Sequence, residues 1–451
     1  MKPLALTAAR QGYKVIGSDQ NWLHQSKELI AAGVEGWVRP MPELAASADC
    51  YVFSSAIRFD HPERLAAGEA AVPTFHRMEL LNLLVGSAKV RFAVAGTHGK
   101  TSSTSMAGWV LLEAGLDPTI LAGGHPLYLP EGCRNGRGEV AVFETDESDG
   151  SFLKTETAYR LILNIDRDHL NHYGSFEKLG EAFRQFAAEK TVYNLNDAKL
   201  RSLFNGIPSL IGFGEVDASF QGPAYVGRFQ GDSLSVKWQG AERSPAIKNS
   251  QPQWIHLKTP GRHFAMNALG VIAMIHTAIQ NEPILQRRFD PADPKTISEL
   301  VAIINEFPGV ERRLQKIGTL NGIDVYDDYG HHPTEIRAVI TALKERGVTP
   351  LSVVFQPHRY TRTRELAAEF ADVLALADQV YLLPIYSAGE PAIEGVSSDC
   401  IARRMKADVI DPINLDQVFE RRPAAVLFQG AGSVSAIGRD YFDKAKSHLN
   451  T

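Results

Sequence analysis

The chain has 451 residues, 44% hydrophobic and 22% charged, with a formal net charge of −5. This is the balance of a soluble globular protein of about three domains, and its acidic sign argues against a nucleic-acid partner. No apolar run could span a bilayer, the first residues lack a secretory pattern, and Cys50, Cys133 and Cys400 show neither metal-ligand nor disulfide-framework spacing, which together predict a cytoplasmic protein with no membrane partner.

The chain opens with helical spacing over Pro3 to Arg10, followed by a predicted strand from Tyr13 to Ile16 that ends in Gly17-Ser18-Asp19. A second strand, Cys50 to Phe53, ends in Ser54-Ser55-Ala56. Small polar residues at strand ends suit a ligand crevice, although Asp19 would serve equally as a turn residue. A dinucleotide-type unit opens with a strand and a glycine-rich turn, and neither precedes Pro3. Either the fold begins differently or a native N-terminal segment is lacking.

The apolar run Val90 to Val94 then leads into Ala95-Gly96-Thr97-His98-Gly99-Lys100-Thr101, with helical periodicity beyond it in Met106, Trp109, Val110 and Ala114. Strand, glycine-containing turn, Lys-Thr and helix form the arrangement that holds a nucleoside triphosphate. Glycines let backbone N–H groups approach phosphate, and the helix N-terminus favours its charge. Lys100 would reach the terminal phosphates and Thr101 would join a Mg²⁺ shell. Val94 replaces the first glycine of the common pattern, and a tight turn before an ordinary helix would read the same way.

Two more predicted strands follow. Val140 to Phe143 runs into the acidic stretch Glu144 to Asp149, and Leu161 to Leu163 runs into Asn164-Ile165-Asp166-Arg167-Asp168-His169. Leu179, Ala182, Phe183 and Phe186 predict an amphipathic helix. Strands alternating with helices imply a mostly parallel sheet, and residues 217–256 read as attached antiparallel hairpins. In a parallel sheet, Lys100, Thr101, Glu144, Asp168 and His169 would share one edge and could hold divalent cations. A solvated acidic loop and a structural histidine remain the plain alternatives.

A last region has strands predicted at Asp324 to Tyr326, Leu351 to Phe355, Gln379 to Leu383 and Ala425 to Phe428. The first delivers Asp327-Asp328-Tyr329-Gly330-His331-His332. The second delivers His358, Arg359, Arg362 and Arg364, whose guanidinium groups suit carboxylate or phosphate, unless they form a solvated helix start. Adjacent histidines point apart, so His331 and His332 are not predicted to share a metal.

Together these motifs resemble the Mur ligase family, from Pro3 almost to the C-terminus. Gly96 to Thr101 is similar to its ATP loop, Glu144 to Leu153 and Asn164 to His169 to its metal-binding segments, and Gly261-Arg262-His263 through Asn267 to its adenine segment. Arg312-Arg313, Asp327 to Pro333, His358 to Arg364 and Gly430-Ala431-Gly432 resemble its C-terminal domain. The resemblance implies three α/β domains. Residues 1–87 form a Rossmann-like UDP-sugar domain lacking its first strand and Gly-rich turn. Residues 88–306 form a P-loop ATPase-like parallel sheet with antiparallel hairpins, and residues 307–451 a Rossmann-like amino-acid domain.

The implied reaction is ATP-dependent ligation of L-alanine to the lactyl carboxylate of UDP-N-acetylmuramate through an acyl phosphate, with Mg²⁺, in a monomer or homodimer. By the same resemblance Gly96, Thr97, His98, Gly99, Lys100, Thr101, Asn267, Arg313 and Asp328 bind ATP. Thr101, Glu144 and His169 hold metal, and Lys100 contacts the transferred phosphoryl. His358, Arg359 and Arg362 receive the alanine carboxylate and nearby charge. Within the family, His358 to Thr363 resembles the alanine-adding members rather than those that add a whole peptide. Two residues depart from the pattern: Phe264 stands where Asn is usual, and Asn171 where Asp is usual.

Overall fold

The computed structural model describes residues 1–20, 22, 27–168, 170–216, 220, 222–239, 252–405, 408–409 and 414–449. It divides into two compact units. One comprises residues 1–230, 234–256 and 266–307, and the other residues 231–233, 257–265 and 308–451.

The first unit begins with the helix Lys2–Arg10, whose Leu4 and Leu6 are buried in one core with Met78 and Leu81. The strand expected at Tyr13 starts three residues later, as β1 (Ile16–Ser18). Gly12 takes φ +94° and the Tyr13 N–H bonds back to the Ala8 carbonyl, so these residues finish the helix instead. β1 pairs in parallel with β2 (Glu35–Trp37), and β3 (Tyr51–Phe53) with β4 (Thr74–His76), as two separate sheets.

The remainder of this unit is built on an eleven-stranded sheet of the described residues. It contains β5 (Val90–Ala95), β6 (Thr119–Leu121), β7 (Cys133–Arg134), β8 (Val140–Glu144), β9 (Tyr159–Ile162), β10 (Lys190–Asn194), β11 (Ile211–Gly214), β12 (Ala224–Val226), β13 (Phe229–Gln230), β14 (Ser233–Gln239) and β15 (Gln253–Ile255). β12, β11, β10, β9, β5, β8 and β6 run parallel in that spatial order. β14 is antiparallel to both β12 and β15, the hairpin character expected there, with residues 240–251 outside the described set. β5, at the centre, is fully buried except for Arg91, as a two-faced parallel strand requires.

The helix Lys100–Glu113 leaves β5 and is buried over most of its circumference, not over the single face expected. It is covered on its other side as well: Trp109 Nε1 donates to the Ile303 carbonyl, at 2.9 Å, in the helix Lys295–Asn305. Leu179, Ala182, Phe183 and Phe186 do form the buried stripe of the helix Phe176–Phe186, packed on Phe152. Each such ring contributes roughly 2–3 kcal/mol by burial.

The second unit is a six-stranded sheet of β16 (Gln315–Leu320), β17 (Ile323–Asp328), β18 (Leu351–Phe355), β19 (Gln379–Leu382), β20 (Asp408–Val409) and β21 (Ala425–Gln429). Its order is β16-β17-β21-β18-β19-β20, parallel except for the β16–β17 hairpin. The register sets Asp328, Gln429, Phe355 and Leu382 in one row at the carboxyl ends. Among the described residues no helix is long and apolar enough to cross a membrane.

Candidate active site

β5 ends at Ala95, and the chain turns through Gly96 (φ +138°) and Gly99 (φ +83°) into its helix. Side chains are excluded at both turns. A Cβ on Gly96 would stand 3.0 Å from Leu163 Cβ, and one on Gly99 2.7 Å from the Asn267 amide nitrogen. The second approach brings Asn267 against the loop.

The segment after β9 clamps this loop. The Asn164 side chain accepts from the His98 N–H at 2.8 Å and donates to the His98 carbonyl at 3.0 Å. The Asp166 N–H donates to Thr97 Oγ1 at 3.0 Å, and an Asp166 carboxylate oxygen lies 2.9 Å from His98 Nε2. Asn164 and Asp166 lie in a motif the sequence singled out, but their side-chain roles become visible only in the fold.

The Lys100 ammonium donates to the Gly96 carbonyl at 2.8 Å and to both Glu147 oxygens, at 3.1 and 2.8 Å. Burial opposes its charge, but the Glu147 and Asp146 carboxylates outweigh that effect and raise its pKa. Thr101 Oγ1 donates to Glu144 Oε2 at 2.8 Å. Burial raises the Glu144 pKa above the ordinary carboxylate value, against the pull of Lys100 and the Thr101 hydrogen bond. A Cβ on Gly123 would come within 1.6 Å of Glu144 Oε1, so only glycine leaves the carboxylate its place. A hydroxyl and a carboxylate beside a phosphate loop are the hard oxygen donors that Mg²⁺ takes. His169, predicted to join them, lies outside the described residues.

The same acidic loop is tied to the ends of β3 and β4. Asp149 accepts a short hydrogen bond from Ser55 Oγ and lies 3.8 Å from His76 Nε2. Arg77 reaches Asp146 at 3.1 Å and Asp149 at 3.4 Å. Despite burial, hydrogen bonds from Ser151 and Ser55, with Arg77 nearby, bring the Asp149 pKa down to about 2.

In the second unit, Asp328 accepts from the Leu314 and Gly330 N–H groups, both at 2.7 Å, and from Gln429 Nε2 at 2.6 Å. Burial raises its pKa to about 6, against Arg313 and these hydrogen bonds. Arg312 and Arg313 lie over the Tyr329 ring at 4.9 and 5.1 Å, and Arg313 is 3.8 Å from Glu335. His332 caps the helix Pro333–Glu345 while the His331 ring turns to His358, centroids 5.5 Å apart; the neighbouring histidines do point apart.

His358 stacks on Tyr386, and Arg362 lies 3.5 Å from its Nδ1. Burial lowers the His331 and His358 pKa values to about 4, with Arg362 adding to both and Arg359 to His358. Arg359 caps the helix Tyr360–Leu374 at φ +72°, ψ +140°, unusual for a side-chain-bearing residue. Its N–H donates to the Tyr386 carbonyl at 2.8 Å, and Glu390, bonded to the Thr361 hydroxyl at 2.8 Å, faces it at 4.0 Å. Tyr386 and Glu390 carried no sequence signal, because their loop is joined to His358 only by the fold.

Residues 1–88 match the family model described as Mur ligase family, catalytic domain; residues 94–275 match the Mur ligase middle domain, and residues 312–431 the Mur ligase glutamate ligase domain. The chain belongs to the Mur ligase family. It is 36% identical to a UDP-N-acetylmuramate–L-alanine ligase of Carboxydothermus hydrogenoformans, covering 99% of this chain and 94% of that one. It is also 36% identical to the Aquifex aeolicus protein of the same name, covering 96% and 93%. The crystal structure of the Thermotoga maritima UDP-N-acetylmuramate–alanine ligase superposes with a TM-score of 0.76 at 26% identity, covering 99% of this chain and 97% of that chain. A murein peptide ligase of Psychrobacter arcticus shares the fold, with a TM-score of 0.66 at 20% identity over 98% and 96% of the two chains.

This Mur ligase thus gathers Gly96, Thr97, His98, Gly99, Lys100, Thr101, Glu144 and Asn267 in one unit. Arg313, Asp328, His358, Arg359 and Arg362 stand at the carboxyl edge of the other unit's sheet. Phe264 is 5% exposed, and its ring lies 4.2 Å from that of His263. The two rings pack together there as a tilted aromatic pair. The Asn171 side chain is outside the described set.

Proposed function

We propose that this Mur ligase joins L-alanine to the lactyl carboxylate of UDP-N-acetylmuramate, using ATP, in the building of peptidoglycan precursors. The observation that carries this reading is the likeness to alanine ligases over 99% of the chain, on a scaffold that sets Lys100 and Thr101 at the turn after β5. A carboxylate is a poor acyl donor. Transfer of the γ-phosphoryl group to it breaks the β–γ phosphoanhydride, releases ADP and gives an acyl phosphate with a good leaving group; amine attack, with loss of a proton, then gives amide and phosphate.

Lys100 offsets charge on the moving phosphoryl, while the Gly96–Gly99 backbone cradles the triphosphate. By the family resemblance, Asn267 in the first unit and Arg313 and Asp328 in the second are each assigned to the nucleotide. Thr101 and Glu144, with His169, would hold Mg²⁺, which when bound would neutralise phosphate charge. Arg359 and Arg362 bind the alanine carboxylate. His358, neutral at physiological pH, offers a ring nitrogen beside them. We further assign residues 1–87 to the UDP-sugar, 88–306 to ATP and 307–451 to the amino acid, in a cytoplasmic monomer or homodimer.

The test is phosphate release from ATP and Mg²⁺ with UDP-N-acetylmuramate and L-alanine each present or omitted. Release that needs both, with the alanyl product identified by mass, supports the ligase. A stable phosphorylated product in place of free phosphate overturns it in favour of an ATP phosphotransferase, and release that ignores alanine overturns it in favour of ATP hydrolysis without ligation.

A further inference from the structure

Lys100 does not stand free in its loop. Its ammonium has three protons, and four acceptor oxygens lie within 3.3 Å: the Gly96 and Thr97 carbonyls and both oxygens of Glu147. The Glu147 side chain is fully buried, at 0% exposure, whereas Lys100 retains 17%. A buried carboxylate is held by its surroundings, and here they are unusually complete. Thr145 ties the loop to β5 through two hydrogen bonds to the Val94 carbonyl, from its N–H at 2.9 Å and its hydroxyl at 3.2 Å. Asp146 is fixed by Arg77 and by the Ser148 N–H, and Asp149 by Ser55 and the Ser151 N–H. The Glu147 carbonyl itself accepts from the Gly150 N–H at 3.0 Å and from the Tyr173 hydroxyl.

The flexible partner in the pair is therefore the lysine, with its four-carbon stem, and the fixed partner is the glutamate. We infer that Glu147 is the positioning residue of the phosphate-site lysine, fixing where the Lys100 ammonium stands, and that the Tyr173 hydroxyl steadies Glu147 through its main-chain carbonyl. The inference deepens the ATP-site reading above and rests on it. A terminal phosphoryl that draws Lys100 toward itself does so against a defined charge-assisted bond, so the ammonium arrives along one direction instead of from a range of rotamers.

The experiment compares full-length wild type, Glu147→Gln, Glu147→Asp, Tyr173→Phe and the Glu147→Gln/Tyr173→Phe double variant. The first readout needs no turnover. Lys100 is labelled by pyridoxal 5′-phosphate with borohydride reduction and located by peptide mapping, and Lys100→Ala serves as the blank. Loss of the carboxylate in Glu147→Gln raises labelling about fivefold or more, Tyr173→Phe raises it less, and the double variant adds little to Glu147→Gln. The second readout is ligation kinetics. Glu147→Gln lowers kcat about 30-fold while KM for ATP moves less than about threefold, and Glu147→Asp, which keeps the charge, recovers part of the loss.

Labelling that is equal in wild type and Glu147→Gln overturns the inference. So does a Glu147→Gln protein with full kcat, or one whose loss lies wholly in KM. A wild type without alanine-dependent release would sink the proposed function instead, and the labelling would still decide the role of Glu147.

Discussion

At the edge of the eleven-stranded sheet, charged and polar groups meet at hydrogen-bond distance: Lys100 with Glu147 at 2.8 Å and Thr101 with Glu144 at 2.8 Å. At the edge of the six-stranded sheet the two arginines assigned to substrates are paired more loosely, Arg313 to Glu335 at 3.8 Å and Arg359 to Glu390 at 4.0 Å. The first edge carries its own counter-charges and is suited to moving a phosphoryl group among balanced partners. The second holds arginines beside histidines kept neutral by burial, and is suited to receiving an anion from outside. Removing a charge from the first should therefore damage chemistry and fold together, and from the second mainly substrate binding.

The sharpest way to break this contrast is Lys100→Ala. It should lower ligation roughly a thousandfold by removing phosphoryl stabilisation. It should also cost roughly 3 kcal/mol of stability, because the buried Glu147 loses the opposite charge of Lys100. Urea denaturation beside the kinetics checks both, and a folded variant with near-normal ligation would undo the site assignment. Next comes Arg359→Ala, expected to raise KM for alanine about 10- to 100-fold, the range for one lost charge-assisted hydrogen bond, with a small change in stability. Unchanged dependence on alanine would remove Arg359 from that role.

The smallest effect concerns acid. His263, His331 and His358 all have folded pKa values of about 4, lowered chiefly by burial, against an ordinary 6.5. Between those values the unfolded chain binds more protons, so stability is intact above about pH 6.5 and falls as pH drops toward 4. The loss approaches 1 kcal/mol per pH unit for each buried ring and is smaller for the half-buried His358. Thermal melts from pH 7.5 to 5 should show this decline, and it should lessen when His331 is replaced by Gln. A flat profile would mean the rings are not held neutral.

Much of this was legible in the chain. Apolar runs ending in Lys-Thr or Glu located β5 and β8 to within a few residues, because a strand buried on both faces has little freedom of composition, and the alternating burial of β17 before Asp-Asp located that strand as well. The partner of Lys100 was not legible. Glu144, Asp146, Glu147 and Asp149 look alike in sequence, and only the turn after β8 decides that Glu147 faces the lysine while Glu144 faces Thr101. The Tyr386–Glu390 loop was hidden for another reason: it meets His358 and Thr361 across more than twenty residues, where spacing carries no information. Tyr13 misled because a helix-ending turn and a strand start share the same glycine.

Arg359 sits where the backbone would be more comfortable as glycine, at φ +72° and ψ +140°, a conformation that costs of order 1–3 kcal/mol with a side chain attached. Selection for heat tolerance alone would drift toward glycine at this position and discard the guanidinium. A thermostabilised library of this enzyme should be screened on alanine use from the first round, since a melting-temperature gain lies at a residue that the proposed amino-acid site needs.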